Sequence, residues 1–306
     1  MRVAIFGATG FVGGYLVDEL LAAGHDPSVL VRPGSLGKLR AADRCRVTTG
    51  AIDDDGAVRA TVDGAGAVIY NVGLLREFPG AGVTFEEAHV DGVRRTADAA
   101  LAAGAGRYLL MSANGVDAAA TPYQETKLRG ERLVAETDLV VTIFRPSVIF
   151  GDPRGNLEFA TQLLRDLVRP PLPAAGFHTG LRPSRGAVMM TPVHVGDVAA
   201  AFVAALDDES TIGETLALGG PEALSWTEML KRVAAAVGRR KWIFPVPIGL
   251  MRMAATPFDR LSFFPVTREQ LTMLAQGNAA KTDALLRLIG REPRRFSAET
   301  LAYLRG

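Results

Sequence analysis

The sequence predicts an α/β protein built on a doubly wound parallel sheet. Short apolar runs alternate with helical patterns through the first half of the chain. A glycine-rich turn, GATGFVGG (7–14), follows the first apolar run at once. Beyond Gly151 the texture shifts to proline- and glycine-rich stretches with arginines, then returns to helical patterns. Parallel strands need long crossovers, and helical crossovers cover both faces of a sheet.

VAIF (3–6) reads as the first buried strand, and Val12 to Ala23 as a helix stopped by Gly24. Further strands are expected at 27–31, 45–49, 67–72, 107–112 and 140–145. The helices between them are expected at Asp55–Val62, Phe85–Ala103 and about Pro122–Glu136. Right-handed crossovers then wind the sheet both ways from its centre. Residues 169–192 read as an irregular excursion, 193–206 as a strand end running into a helix, and 214–220 as a strand and turn. Ser225–Val237 is an amphipathic helix ended by Gly238, and 248–266 is rich in Met and Phe.

The bulk numbers exclude several classes. Lys plus Arg is 34 and Asp plus Glu is 33, so the net charge of +1 offers no electrostatic reason to expect nucleic acid or an anionic membrane. No apolar stretch is long enough for a membrane span, and the longest, 187–206, is broken by Pro192, His194 and Asp197. Cys45 is the single cysteine, which rules out an internal disulfide and makes a reducing cytoplasm the expected setting. Arg44 and Arg46 flank it, yet a half-buried strand cysteine is the expectation. His25, His89, His178 and His194 are scattered, so no metal site is expected.

The glycines carry the first functional signal. A strand before them and a helix after them is the context a dinucleotide-binding turn requires. Gly7 permits the tight turn, Gly10 lets backbone approach a pyrophosphate, and Gly13 lets the helix pack on the sheet. Thr9, Phe11 and Val12 complete the cofactor-binding turn, and the helix N-terminus presents free N–H groups to phosphate. A site for NAD carries an acid about 20 residues on, at the end of the second strand. That place is LVRP, with Arg32, and no acid lies between Asp26 and Asp43. An arginine there suits a 2′-phosphate, so NADP(H) is expected over NAD(H).

A second constellation is TPYQETK. Tyr123 and Lys127 stand four apart and share a helix face. An ammonium beside a phenol is expected to lower the phenol's pKa and make Tyr123 a proton donor or acceptor. Lys127 is also suited to hold ribose hydroxyls. Ser112, eleven residues before Tyr123, ends the fifth strand at the edge where such sheets bind ligands. The catalytic expectation is therefore Ser112, Tyr123 and Lys127.

Together these residues resemble the short-chain dehydrogenase/reductase superfamily in its extended, atypical branch. The chain is similar to the NAD(P)-dependent epimerase/dehydratase group, and more narrowly to bacterial relatives of the nucleotide-binding accessory subunit of respiratory complex I. The likeness runs through GATGFVGGYLVDELLAAGHDPSVLVRP, VIYNVG, FEEAHVDGVRRTADAA, LLMSANGVD, PYQETKLRGE, IFRPSVIFGD, TPVHVGDVAAAF and LGGPEALSWTEMLKRVA. It implies a Rossmann-like fold with a small C-terminal substrate region. Residues 1–150 would form the NAD(P)-binding domain with 191–220 packing back onto it, and 151–190 with 221–306 the substrate or lid region. It implies that Asn71 and Gly73 line the ribose side, and that Pro146 and Ser147 sit by the nicotinamide. His89 and His194 match family positions, although a structurally satisfied histidine is the plainer reading of each. Ala51 stands where many relatives place an aspartate for the adenine amine.

Three functions follow. The first is an NADP(H)-dependent oxidoreductase of a small or apolar substrate, with Tyr123 as proton donor and 248–266 as an apolar lid. The second is a non-catalytic NADPH-binding module that docks on a larger protein assembly through that same apolar stretch. The third is a nucleotide-sugar epimerase or dehydratase, with Arg154, Arg182 and Arg185 for a diphosphate.

Overall fold

The computed structural model describes residues 1–305 apart from 75, 79, 81, 181–185 and 256–267. Its first half runs β1 (Arg2–Phe6), α1 (Phe11–Ala22), β2 (Asp26–Val31), β3 (Arg46–Thr49), α2 (Asp55–Val62), β4 (Ala67–Tyr70), α3 (Gly92–Ala102), β5 (Arg107–Met111), α4 (Pro122–Ala135) and β6 (Val141–Pro146). There follow β7 (Ile149–Phe150), α5 (Phe159–Leu163), β8 (Ala174–His178), β9 (Met189–Met190), β10 (Val193–His194), α6 (Val195–Ala204), β11 (Thr215–Leu218) and β12 (Leu224–Ser225). The chain continues through α7 (Trp226–Ala236), β13 (Ile243–Pro247), α8 (Ile248–Ala255), α9 (Arg268–Gln276) and α10 (Asp283–Ile289).

The central sheet has seven strands in the order β11-β6-β5-β4-β1-β2-β3, all parallel. This is the Rossmann-like arrangement expected, with the winding reversing between β1 and β4. The two-residue period of a strand explains the layering. Val3 and Ile5 of β1 pack with Leu16, Val17 and Leu20 of α1 and with Val198 and Phe202 of α6. Ala4 and Phe6 point the other way and pack with Val58 of α2, Val93 of α3 and Val134 of α4. A second core joins Phe150, Leu163, Met229, Leu230, Phe296 and Leu304.

Two expected elements differ. β4 stops at Tyr70 rather than reaching residue 72, because only the Asn71 N–H still bonds back to β1, at Phe6 O (2.9 Å). The helix expected from Phe85 does begin there, but it widens into a π turn over Glu87–Asp91 before the regular α3 starts at Gly92. Tyr70 drives this change. Its hydroxyl donates to the Ala88 carbonyl at 2.7 Å, and a Cβ at Gly92 would stand 2.2 Å from the Tyr70 phenol oxygen. A carbonyl drawn toward a side chain loosens the regular helical ladder.

The distal part of the chain is clasped to the first core. Asp197, in the first turn of α6, is 0% exposed. Its Oδ1 accepts from Arg291 (2.6 Å) and Arg294 (2.7 Å), and its Oδ2 accepts from the Arg294 N–H (2.7 Å). The Lys281 carbonyl likewise accepts from the Gly219 N–H at the end of β11.

Candidate functional site

The site lies at the carboxyl ends of β1, β4, β5 and β6, beside the point where the winding reverses. Such a crevice receives ligand because loops on either side diverge there. Gly7 has φ +94°, and a Cβ on it would meet the Asn71 carbonyl oxygen at 2.7 Å. Gly13 is tighter still: a Cβ there would fall 2.1 Å from the Gly7 oxygen. Gly10 differs, because it is exposed and a Cβ would meet only the Gly7 oxygen, at 3.3 Å. Gly10 is also the N-cap of α1 and has no side-chain cap bond, with Phe11 and Val12 opening the helix and Thr9 just before it. The first-turn N–H groups of a helix lack intrahelical partners, so this open end suits a pyrophosphate.

Arg32 follows β2 directly and is exposed. Asn71 and Gly73 follow β4, the first half-buried and the second exposed. Ala51 lies half-buried just beyond β3. Pro146 closes β6 and accepts a hydrogen bond from the Asn114 N–H (2.9 Å). The Ser147 hydroxyl donates to the Asn278 carbonyl (2.6 Å), so it is committed within the chain.

Ser112 follows β5 directly and is 5% exposed, and its Oγ has no hydrogen-bond partner. Buried hydroxyls are rarely left unpaired, so this one fits a ligand oxygen. Tyr123 and Lys127 are brought in by α4, whose start is set by Thr121 capping the Gln124 N–H and by Pro122 in the first turn. The Lys127 ammonium donates to the Met111 carbonyl (3.0 Å) and the Val72 carbonyl (3.2 Å). It thereby ties the ends of β5 and β4 together, one residue from Ser112.

These contacts correct the expectation for Tyr123. The ammonium is committed to main-chain carbonyls, and burial pushes the phenol up to about 12 instead of lowering it. Burial also draws Lys127 down to about 8, against a smaller opposing pull from Glu131. Glu131 in turn accepts from two nitrogens of Arg145, at 2.9 and 2.6 Å.

His89 belongs to this site. Its ring stacks on Phe85 (5.5 Å, 15°) and meets Tyr123 edge-on (5.4 Å, 87°). The Leu74 N–H donates to Nε2 (3.3 Å), which leaves the proton on Nδ1 to reach Thr126 Oγ1 (3.0 Å). Burial, helped by Lys127, lowers His89 to about 2, so the ring is neutral. His194 lies elsewhere, capping α6 through the Gly196 N–H (3.1 Å). Cys45 is half-buried, and burial pushes its thiol up, away from thiolate character.

Two residues beyond Ser112, at Asn114, the chain borders a cavity of about 480 Å³. Asn114, Gly115 and Asp117 line it from the β5–α4 loop, Thr179, Val188 and Met189 from the excursion after β8, and Gln276 and Gly277 from the end of α9. Gln124 Nε2 donates to the Gly115 carbonyl and to Gln276 Oε1, both at 2.8 Å, while Asn114 Nδ2 donates to Asn278 Oδ1 (2.8 Å). These amides were not marked out by sequence, because only the folded chain brings positions 114 and 124 against 276 and 278. Arg154 donates to Asp18 (2.6 Å) and covers the Tyr15 ring (3.6 Å), so its guanidinium is occupied. Arg182, Arg185 and 256–266 of the apolar stretch lie outside the described residues, and Ile248–Ala255 is α8. Among the described residues no group of three His, Cys, Asp or Glu could hold a metal, and no helix is long and apolar enough to cross a membrane.

Known proteins place this geometry. The chain is 30% identical over 296 residues to NADH dehydrogenase [ubiquinone] 1 alpha subcomplex subunit 9 of Arabidopsis thaliana, covering 92% of this chain and 70% of the relative. It is 30% identical over 245 residues to a ceramide reductase of Caulobacter vibrioides, covering 80% and 73%. A solved nucleoside-diphosphate-sugar epimerase from Pseudomonas aeruginosa shares the fold with a TM-score of 0.74, over 98% of this chain and 95% of the other, at 17% identity. A family model described as NAD(P)H-binding matches residues 7–166, just over half of the chain and the whole stretch from the glycine turn through β6, and the chain belongs to that family.

Proposed function

We propose that the protein is an NADP(H)-dependent reductase of an apolar carbonyl or enone, with Tyr123 as the proton donor. The observation that carries this reading is the buried, unpaired Ser112 hydroxyl at the end of β5, where Lys127 ties in the helix that bears Tyr123. The Tyr123 phenol keeps its proton at neutral pH, as a proton donor must. The bound nicotinamide supplies the hydride. On the protein side, the unpaired Ser112 hydroxyl donates to the substrate carbonyl oxygen and polarises it. Tyr123 gives its proton to that oxygen, which leaves an alcohol, or an enol in the conjugate case. Lys127 holds the ends of β4 and β5 in register around the reacting groups and faces the ribose side. Arg32 supports a 2′-phosphate through charge-assisted bonds.

A second reading, a cofactor-binding module without turnover, is favoured by one observation. Lys127 is bonded to Val72 and Met111 carbonyls instead of the phenol, so nothing activates Tyr123 further. The NADH dehydrogenase subunit among the relatives fits that reading, and the ceramide reductase fits the first.

Single-turnover oxidation of bound NADPH, followed by absorbance against apolar ketones, quinones and enones, decides between them. In the reductase, Tyr123→Phe is expected to slow oxidation by about 10²–10⁴-fold while cofactor binding survives. A parent protein that never oxidises its NADPH establishes the second reading. Calorimetry checks the cofactor: Arg32→Ala is expected to weaken NADPH roughly 10- to 100-fold and leave NADH unchanged. Equal affinities for the two cofactors in the parent overturn the NADP assignment.

A further inference from the structure

The near-zero net charge conceals a strongly basic region. Residues 229–251 contain Lys231, Arg232, Arg239, Arg240 and Lys241 and no acid, and residues 167–196 also contain no acid. The fold joins these two segments. β13 pairs in parallel with β8, and the Ala174 N–H donates to the Trp242 carbonyl (2.9 Å). Lys241 donates to the carbonyls of Val168 (3.1 Å) and Pro170, and Arg239 donates to the Arg169 carbonyl (3.3 Å).

Along this seam large apolar side chains face solvent. Trp242 is 73% exposed, Leu172 72% and Phe244 58%. Ile243, between the two aromatics, packs into the second core, so strand alternation turns Trp242 and Phe244 outward together. Leu250, in α8 just beyond β13, is exposed as well. A cavity of about 500 Å³ opens beside the seam. Arg169, Arg239 and Arg305 line it together with the end of α7, and no Asp or Glu among the described residues does.

We propose that this face docks on a bilayer surface that carries anionic phospholipid. Trp and Phe enter the headgroup–acyl boundary, where an amphipathic ring loses apolar exposure and the indole N–H stays hydrated. The basic rim meets the lipid phosphates, and the arginine-lined cavity, at about 500 Å³, has the volume for a headgroup. Charge complementarity selects this occupant: Arg169, Arg239 and Arg240 stand along the seam with the exposed aromatics, Arg232 being taken up by Glu222, and such a surface repels a basic partner and attracts an anionic interface. β8 starts two residues after Leu172 and leads to Thr179, on the wall of the cavity that Asn114 also lines, so a docked protein holds that cavity one short strand from the lipid.

Sedimentation with vesicles tests the proposal on the full chain. The protein is expected to pellet with vesicles of phosphatidylcholine plus phosphatidylglycerol and to stay in solution with phosphatidylcholine alone. Arg239→Gln with Arg240→Gln is expected to lower the partition coefficient roughly 25-fold, about fivefold per charge. Trp242→Ser with Phe244→Ser is expected to lower it about tenfold or more. All four side chains are exposed, so melting temperatures should match the parent. The chain has two tryptophans, and Trp226 is buried, so in a Trp226→Phe background the emission of Trp242 should shift to the blue on anionic vesicles only. Failure to pellet with anionic vesicles overturns the proposal, as does equal binding to neutral ones or undiminished binding by the double variants. A dimer that forms with concentration and vanishes in Trp242→Ser also overturns it, because the face then belongs to a second copy. None of these readouts depends on turnover.

Discussion

Lys127 Nζ stands 3.0 Å from the Met111 carbonyl oxygen, so the ammonium of α4 is buried at the end of β5. Burial draws its pKa from 10.5 down to about 8. The unfolded chain therefore binds more protons than the native one between those values, and native stability gains as pH rises through that window. Below pH 8 the buried charge opposes folding by an amount of order 3 kcal/mol. Lys127→Met removes the titration. Urea unfolding of parent and variant side by side should show the parent gaining on the variant between pH 8 and 10. A constant gap across that range refutes the assignment.

His89 titrates on the acid side. Its native pKa is about 2 against an ordinary 6.5, so below pH 6.5 the unfolded chain takes up a proton that the native chain refuses. Stability then falls with falling pH, by about 1.4 kcal/mol per pH unit from this one ring. His89→Gln retains an acceptor for the Leu74 N–H and removes the titration. Its stability between pH 6 and 4 is expected to fall less steeply than the parent's by about that slope. Equal slopes would place the ring in a more open environment.

Gly10 and Gly13 belong to one turn and should respond oppositely to substitution. A Cβ at Gly13 meets main-chain atoms, the Gly7 oxygen at 2.1 Å and Ala8 Cα at 2.7 Å, which cannot rotate away. Gly13→Ala is expected to cost about 3 kcal/mol or more of stability. Gly10→Val meets little within the chain, so it should melt as the parent does but lose the upward shift in melting temperature that NADPH confers. Thermal melts with and without NADPH check both. A Gly10→Val protein still stabilised by NADPH would place the pyrophosphate elsewhere.

Local signals were legible in the sequence because they are spent locally. The turn at 7–14 needs glycines whatever the rest of the chain does, and the fold followed from the alternation of periods around it. The π turn before Gly92 and the low pKa of His89 were not legible. Each arises from partners far along the chain: Tyr70 with Ala88, Leu74 with His89, His89 with Thr126. The Tyr-x-x-x-Lys spacing placed both side chains on α4 but could not say that strand-end carbonyls would claim the ammonium. Net charge, an average over the chain, hid a basic seam assembled from residues 169 and 239–241.

The Asp197 clasp has a consequence in time. A ribosome delivers α6, with its carboxylate, well before Arg291 and Arg294 that neutralise it. A carboxylate buried without its counter-charges opposes folding by several kcal/mol. During synthesis α6 is therefore expected to seat on α1 only after the arginines have left the ribosome. A ribosome-stalled chain ending at Gly290 should stay sensitive to protease in α6, and one extended past Arg294 should become resistant. Resistance already present in the shorter chain would show that α6 seats without the clasp.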